Sequence, residues 1–180
     1  MTNPFIRLFV DDLTGYQPRT AKLPEPIWII GVSISTTLKS IYRDVPALGR
    51  KFKALKEARP IPNKKEPWAF AAVSSGYDPA TGRMTYMRGD VVTSTAEVPE
   101  GMEAFEIPAI TYAIFPVRPK NRFAWPFAIA NAKGYAYTVW MPNAGYEPAG
   151  GPIDDVELHD WRSMNKRNPE VDLLVAIKKR

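Results

Sequence analysis

Apolar and polar positions change period several times along the chain, and each change marks an element. Residues 27–34 are apolar and β-branched with Gly31 among them, which predicts a strand. Val45, Leu48, Phe52 and Leu55 then recur at intervals of three and four, predicting an amphipathic helix over 45–59 with Asp44 as its cap and Pro60 as its stop. Two strand-like runs follow at 68–74 and 84–93. They are joined by the turn-forming stretch GYDPATG at 76–82, so together they predict a hairpin.

The same order then recurs. Residues 105–117 predict a strand region broken or bent at Pro108, and 123–140 a second helix with Pro126 in its first turn and Gly134 weakening it. Runs at 154–161 and 171–178 predict a second pair of strands around a polar loop holding Asn165, Asn168 and Pro169. Each half reads strand, helix, strand, strand. The expected fold is α+β, a duplicated β-α-β-β module whose antiparallel or mixed sheet carries two main helices on one face. The pseudo-repeats span 27–95 and 105–180 of a single domain at 27–180. Residues 1–26, interrupted by Pro18, Pro24 and Pro26, read as a lead-in.

Composition narrows the chemistry. The 180 residues are 45% hydrophobic and 24% charged, ordinary values for a folded domain. With no cysteine there is no disulfide framework, thiolate metal site or cysteine nucleophile, and with His159 as the single histidine a histidine-rich metal centre or triad is not expected. The net charge of +5 resides mainly in 50–65, 118–122 and 178–180, with acidic residues between, which reads as a solvated surface rather than a nucleic-acid footprint. GRMTYMRGD at 82–90 precedes no helix able to cradle a phosphate, so no nucleotide cofactor is expected. No run reaches the roughly 18 apolar residues of a membrane span and no signal core opens the chain, so the expected location is cytoplasmic.

Three segments resemble the GyrI-like, or AraC effector-binding, domain family. VPEGMEAFEIPAITYAIFPV from Val98 is similar to its proline, "IPA" and tyrosine-plus-aromatic strand. VWMPNAGYEP from Val139 resembles its tryptophan-leucine-proline helix end and glycine-tyrosine-glutamate turn, and DVELHDW from Asp155 its aromatic-glutamate-x-tyrosine strand. TYMRGDVV from Thr85 fits a weaker tyrosine and glycine strand, and VDLLVAIKKR stands in place of the terminal strand. The resemblance implies a ligand groove between the two halves that binds small hydrophobic, aromatic or cationic compounds, with Glu157 as its central polar residue. His159 stands where the family has tyrosine, and Val156 where it has phenylalanine. No helix-turn-helix is read before residue 27, so direct DNA binding is not expected.

Strand alternation places Glu157, His159 and Trp161 on one face and Val156 and Leu158 on the other. A carboxylate among aromatic rings is desolvated, which favours a cationic or hydrogen-bond-donating ligand. Tyr112 and Tyr86 are the expected hydroxyl donors to Glu157, and Trp28, Trp68, Phe70, Trp140 and Trp161 the expected aromatic walls. The leading expectation is a stand-alone binding protein for such compounds. Two alternatives follow from the resemblance: a hydrolase of strained electrophilic aromatic compounds using Glu157 or Glu106, and a gyrase-inhibitor-like protein acting through its surface on a protein partner. Edge strands also allow a homodimer.

Overall fold

The computed structural model describes residues 13, 15–120 and 124–180. Its elements run β1 (Arg19–Lys22), β2 (Ile27–Thr37), α1 (Ile41–Ala58), β3 (Phe70–Asp78), β4 (Arg83–Val92), β5 (Glu103–Ile107), β6 (Thr111–Val117), α2 (Trp125–Tyr135), β7 (Tyr146–Pro148), β8 (Asp155–His159) and β9 (Val171–Lys179). A π-helical turn over Ala136–Trp140 carries α2 on to Met141–Asn143. The nine strands form one sheet in the order β1-β6-β9-β8-β3-β4-β2-β5, with β7 also on β9. All of the described pairings are antiparallel. The order is symmetric about its middle: β3-β4-β2 mirrors β8-β9-β6, and the halves join where β3 pairs β8.

Three residues, 108–110, connect β5 to β6, although six strand intervals separate those two strands in the sheet. A flat sheet would hold them about 29 Å apart at about 4.8 Å per interval, whereas the connection reaches at most about 14 Å. The sheet therefore curls until its ends meet. Ile29, Met87, Ile107, Tyr112, Ile114, Val156 and Leu174, drawn from both ends and the middle, form one buried cluster inside the curl. Gly31 opposes Gly89 between β2 and β4, and a Cβ on Gly31 would come within 2.0 Å of the Arg88 carbonyl oxygen; only glycine allows so close a crossing.

Both helices lie on the outer face over separate cores. Leu48 and Phe52 of α1 pack on Ile30, Val32, Ala72 and Tyr86. Ala128, Ile129 and Ala132 of α2 pack on Ala113, Phe115, Leu173 and Val175. Among the described residues no helix is long and apolar enough to cross a membrane.

The structure corrects several sequence expectations. The lead-in contains β1, an edge strand flanked by Pro18 and Pro24, where missing N–H donors disrupt nothing; residues 1–12 and 14 lie outside the described residues. The region 105–117 is broken rather than bent at Pro108, giving β5 and β6, because Pro108 ends the first and the curl takes up the second. α1 begins at Ile41, a turn before Val45, with Pro46 inside it; Asp44 accepts a 2.8 Å hydrogen bond from Thr36 Oγ1 instead of capping. β8 stops at His159, and Trp161 opens a 3-10 turn over Trp161–Met164, because Asp160 accepts a bond from the Arg162 backbone N–H.

Candidate functional site: a groove at the seam of the sheet

The site follows from two registers. β3 pairs with β4 so that Phe70 opposes Asp90 and Ala72 opposes Arg88. It pairs with β8 so that Phe70 opposes His159 and Ala72 opposes Glu157. Alternation then puts Phe70, Arg88, Asp90, Glu157 and His159 on the helix-bearing face, at the seam that neither helix core covers. Phe70 and His159 stack with ring centroids 3.9 Å apart and planes 13° from parallel. The Arg88 guanidinium carbon lies 4.6 Å from the Phe70 centroid, and Trp125 of α2 lies 5.6 Å from the His159 ring. Burial, with the Arg88 charge alongside, pushes His159 down to about 3, so the ring is neutral near pH 7.

On the α1 side of Phe70 a groove of about 360 Å³ is open. Its floor is Phe70, Arg88 and Asp90; Gly49, Phe52, Lys53 and Lys56 of α1 form one wall, and Pro67, Trp68 and Met164 the rim. Asp90, 4% exposed, is held between Lys56 Nζ at 3.0 Å and Lys64 Nζ at 2.8 Å. A second cavity of about 30 Å³, beneath α2 near Leu13 and Tyr16, has room for little more than a water.

The α2 side is closed by ion pairs. Lys133 Nζ lies 2.8 Å from Asp155 Oδ1 and 3.0 Å from Glu157 Oε1, and donates to Ser74 Oγ at 3.2 Å. Tyr137 donates to Asp155 Oδ2 at 3.1 Å. Burial alone would lower the Lys133 pKa, but Asp155 and Glu157 outweigh it and hold the ammonium above its ordinary value. Burial first, then the neighbouring carboxylates, push the Tyr137 and Tyr86 hydroxyls up, so both stay protonated.

These elements all fall within residues 23–177, which match the model of one protein family, Cass2, described as integron-associated effector binding protein. The chain belongs to the Cass2 family. No curated protein sequence matches it. Solved structures share the Cass2 fold at low identity. SAV2435, bound to tetraphenylphosphonium, superposes with a TM-score of 0.66 at 10% identity, over 90% of this chain and 94% of that one. An integron cassette protein from the mobile metagenome of Vibrio cholerae gives 0.60 at 12% identity, over 91% and 97%. EcmrR, seen in a complex with DNA, gives 0.60 at 15% identity, over 91% of this chain and 58% of its own.

Within this Cass2 fold the residues expected from sequence are dispersed. Trp68 and Phe70 line the groove, and His159 stacks on its floor. Glu157 is on the same face but is held by Lys133 and is not part of the groove lining. Tyr86 is buried on that face beneath α1. Tyr112 is on the inner face, where its hydroxyl donates to the Pro108 carbonyl at 2.9 Å, so it is not a donor to Glu157. The reason is parity: β6 places Ala113 and Phe115, not Tyr112, towards α2. Trp140 is core, stacked on Tyr146 with its Nε1 donating to Gln17 Oε1 at 3.2 Å. Trp161 is exposed on its turn, and Trp28 is exposed opposite Glu106 of β5.

Sequence reasoning missed Arg88, Asp90 and Lys133. The first two were within reach, since alternation in β4 puts them on the face of Tyr86. Lys133 also left a mark, as the one charged residue of 124–140.

Proposed function

We propose that this chain is a small-molecule-binding protein that takes planar, largely apolar compounds into the groove between α1 and the seam of the sheet. One observation carries the reading: an open groove of about 360 Å³ with an aromatic floor at Phe70 and an aromatic rim at Trp68, within the roughly 300–1,000 Å³ of ligand sites. Membership of an effector-binding family supports it, as does a fold neighbour bound to tetraphenylphosphonium. Glu157 acts from behind the groove. Its pairing with Lys133 fixes the strand that presents His159 to Phe70, and a carboxylate so occupied gives a ligand cation little to gain. No observation favours the hydrolytic reading, since Glu157 is ion-paired and Glu106 lies on the edge strand β5, exposed to solvent.

Thermal-shift screening with planar aromatic compounds of negative, zero and positive charge tests this. A ligand at one hundred times its Kd adds about 2.7 kcal/mol to the native state, which raises Tm by roughly 5–10 °C in a domain of this size. Trp68→Ala should shrink the shift and Glu157→Gln should retain it. A panel without any shift, or shifts indifferent to Trp68→Ala, would remove the groove as the site.

A further inference from the structure

We infer that the groove selects aromatic anions, with the Arg88 guanidinium as the group that meets the ligand's carboxylate. The inference rests on the groove reading above and adds the charge of the ligand, which differs from the cationic expectation attached to the family resemblance.

Four charged residues line the groove: Lys53, Lys56, Arg88 and Asp90. The one acid among them is already matched, because Lys56 and Lys64 both bind Asp90 within 3.0 Å. Arg88 is different. Among the described residues it makes no ion pair, and its contact is the face of Phe70. An arginine keeps its charge at any ordinary pH and offers a planar fork of donors suited to a carboxylate. It also reaches towards α1: a Cβ built on Gly49 would lie 3.6 Å from Arg88 Nη1. The fork thus lies between the groove's wall and its aromatic floor.

The surroundings do not offset this charge. His159 is neutral and so adds neither attraction nor repulsion of its own. Of the carboxylates around the seam, Glu157 and Asp155 are held by Lys133 under α2, and the exposed Glu57 of α1 lies 3.8 Å from Lys53 Nζ. A lipophilic cation laid on Phe70 would meet Arg88 and Lys56 directly. A planar carboxylate laid on the same ring would bring its anionic edge to the Arg88 fork, where a charge-assisted bidentate pair forms with little reorganisation.

The test uses three probes of one shape, 2-naphthoate, 2-naphthamide and 2-naphthylmethylammonium, titrated calorimetrically into the intact protein. The naphthoate should bind about tenfold or more tighter than the amide, as a hydrogen-bonded charge pair requires, with the ammonium weakest. Raising salt from about 50 to about 500 mM should weaken the naphthoate and leave the amide unchanged. Arg88→Met, which keeps the stem over Phe70, should bring naphthoate and amide to parity, while Arg88→Lys should keep part of the preference. Should Arg88→Met not fold, the salt response and Arg88→Lys decide. Equal binding of naphthoate and amide by the native protein would overturn the inference and leave the groove reading in place. If none of the three binds, both fall.

Discussion

The two sides of the seam are built alike and finished differently. Each half lays a helix over β-strands and brings one basic side chain to the junction, Lys133 from α2 and Arg88 from β4. On the α2 side β8 presents Asp155 and Glu157 on one face, and Lys133, 20% exposed, forms an ion pair with each. On the α1 side the corresponding acid, Asp90, is consumed by Lys56 and Lys64 from outside the seam, and Arg88 is left against an aromatic ring. The same topology therefore yields a closed ionic cluster on one side and an open charged groove on the other. What differs is which lysines reach which acids.

The largest effect that separates the two sides is on stability. Lys133→Met strands two largely buried carboxylates, and removal of one partner from a buried pair costs about 3–5 kcal/mol. In a domain of this length that lowers Tm by about 10 °C. Arg88→Met breaks no ion pair and should shift Tm far less. Thermal melts of the two variants check this directly, and equal losses would mean that Arg88 is as much a structural ion as Lys133. Adding Asp155→Asn and Glu157→Gln to Lys133→Met should recover part of the loss, because the stranded charges are then gone.

How much of this was written in the sequence depends on the range of the interaction. The strand-helix-strand-strand order and the seam face of Glu157 and His159 are local, and alternation and helix periodicity carry them. The split of 105–117 into strands at opposite ends of the sheet is not local. It depends on the curl, which is set by pairings such as Phe70 with His159 across a long stretch of chain. Tyr112 failed for the same reason. Its hydroxyl reads equally well as a donor to Glu157 or to a backbone carbonyl of the core, and only the placing of β6 against β9 decides that it faces inward. The occupancy of Glu157 by Lys133 joins β8 to a helix through tertiary packing that no residue spacing encodes.

A smaller effect concerns how dry the seam is. The folded His159 resists protonation to about pH 3, whereas in the unfolded chain it takes up a proton near its ordinary value of about 6.5. As pH falls from 6.5 towards 3 the unfolded state gains a proton that the folded state refuses. Stability should therefore decline across that window, by at most about 1.4 kcal/mol per pH unit. Arg88 faces the ring from β4, Phe70 from β3, Trp125 from α2, and Asp160 follows it in the chain. Of these only Asp160 titrates at acid pH, and the hydrogen bonds and charge of Arg162, outweighing its partial burial, hold it below the usual carboxylate range. The unfolding free energy of wild type minus that of His159→Phe should be flat above pH 6.5 and fall steadily below it. A flat difference down to pH 4 would show that water reaches the ring and that the open side is wetter than its packing implies.

The smallest and most discriminating effect comes from two helix glycines, one on each side. A Cβ placed on Gly134 of α2 would meet nothing within 4 Å, so Gly134→Ala should add about 0.5–1 kcal/mol through helix propensity alone and leave binding unchanged. Gly49 of α1 should give a similar gain, since a Cβ there makes an ordinary 3.6 Å contact with Arg88 Nη1. That methyl, however, stands in the groove wall beside the guanidinium, where an aromatic anion would seat its carboxylate. Gly49→Ala should therefore be a stabilised protein that binds 2-naphthoate several-fold more weakly, while Gly134→Ala is a stabilised protein that binds it normally. Because both substitutions stabilise, lost affinity at Gly49 could not be blamed on misfolding. Undiminished binding by Gly49→Ala would move the ligand away from α1 and erase the distinction between the two sides of the seam.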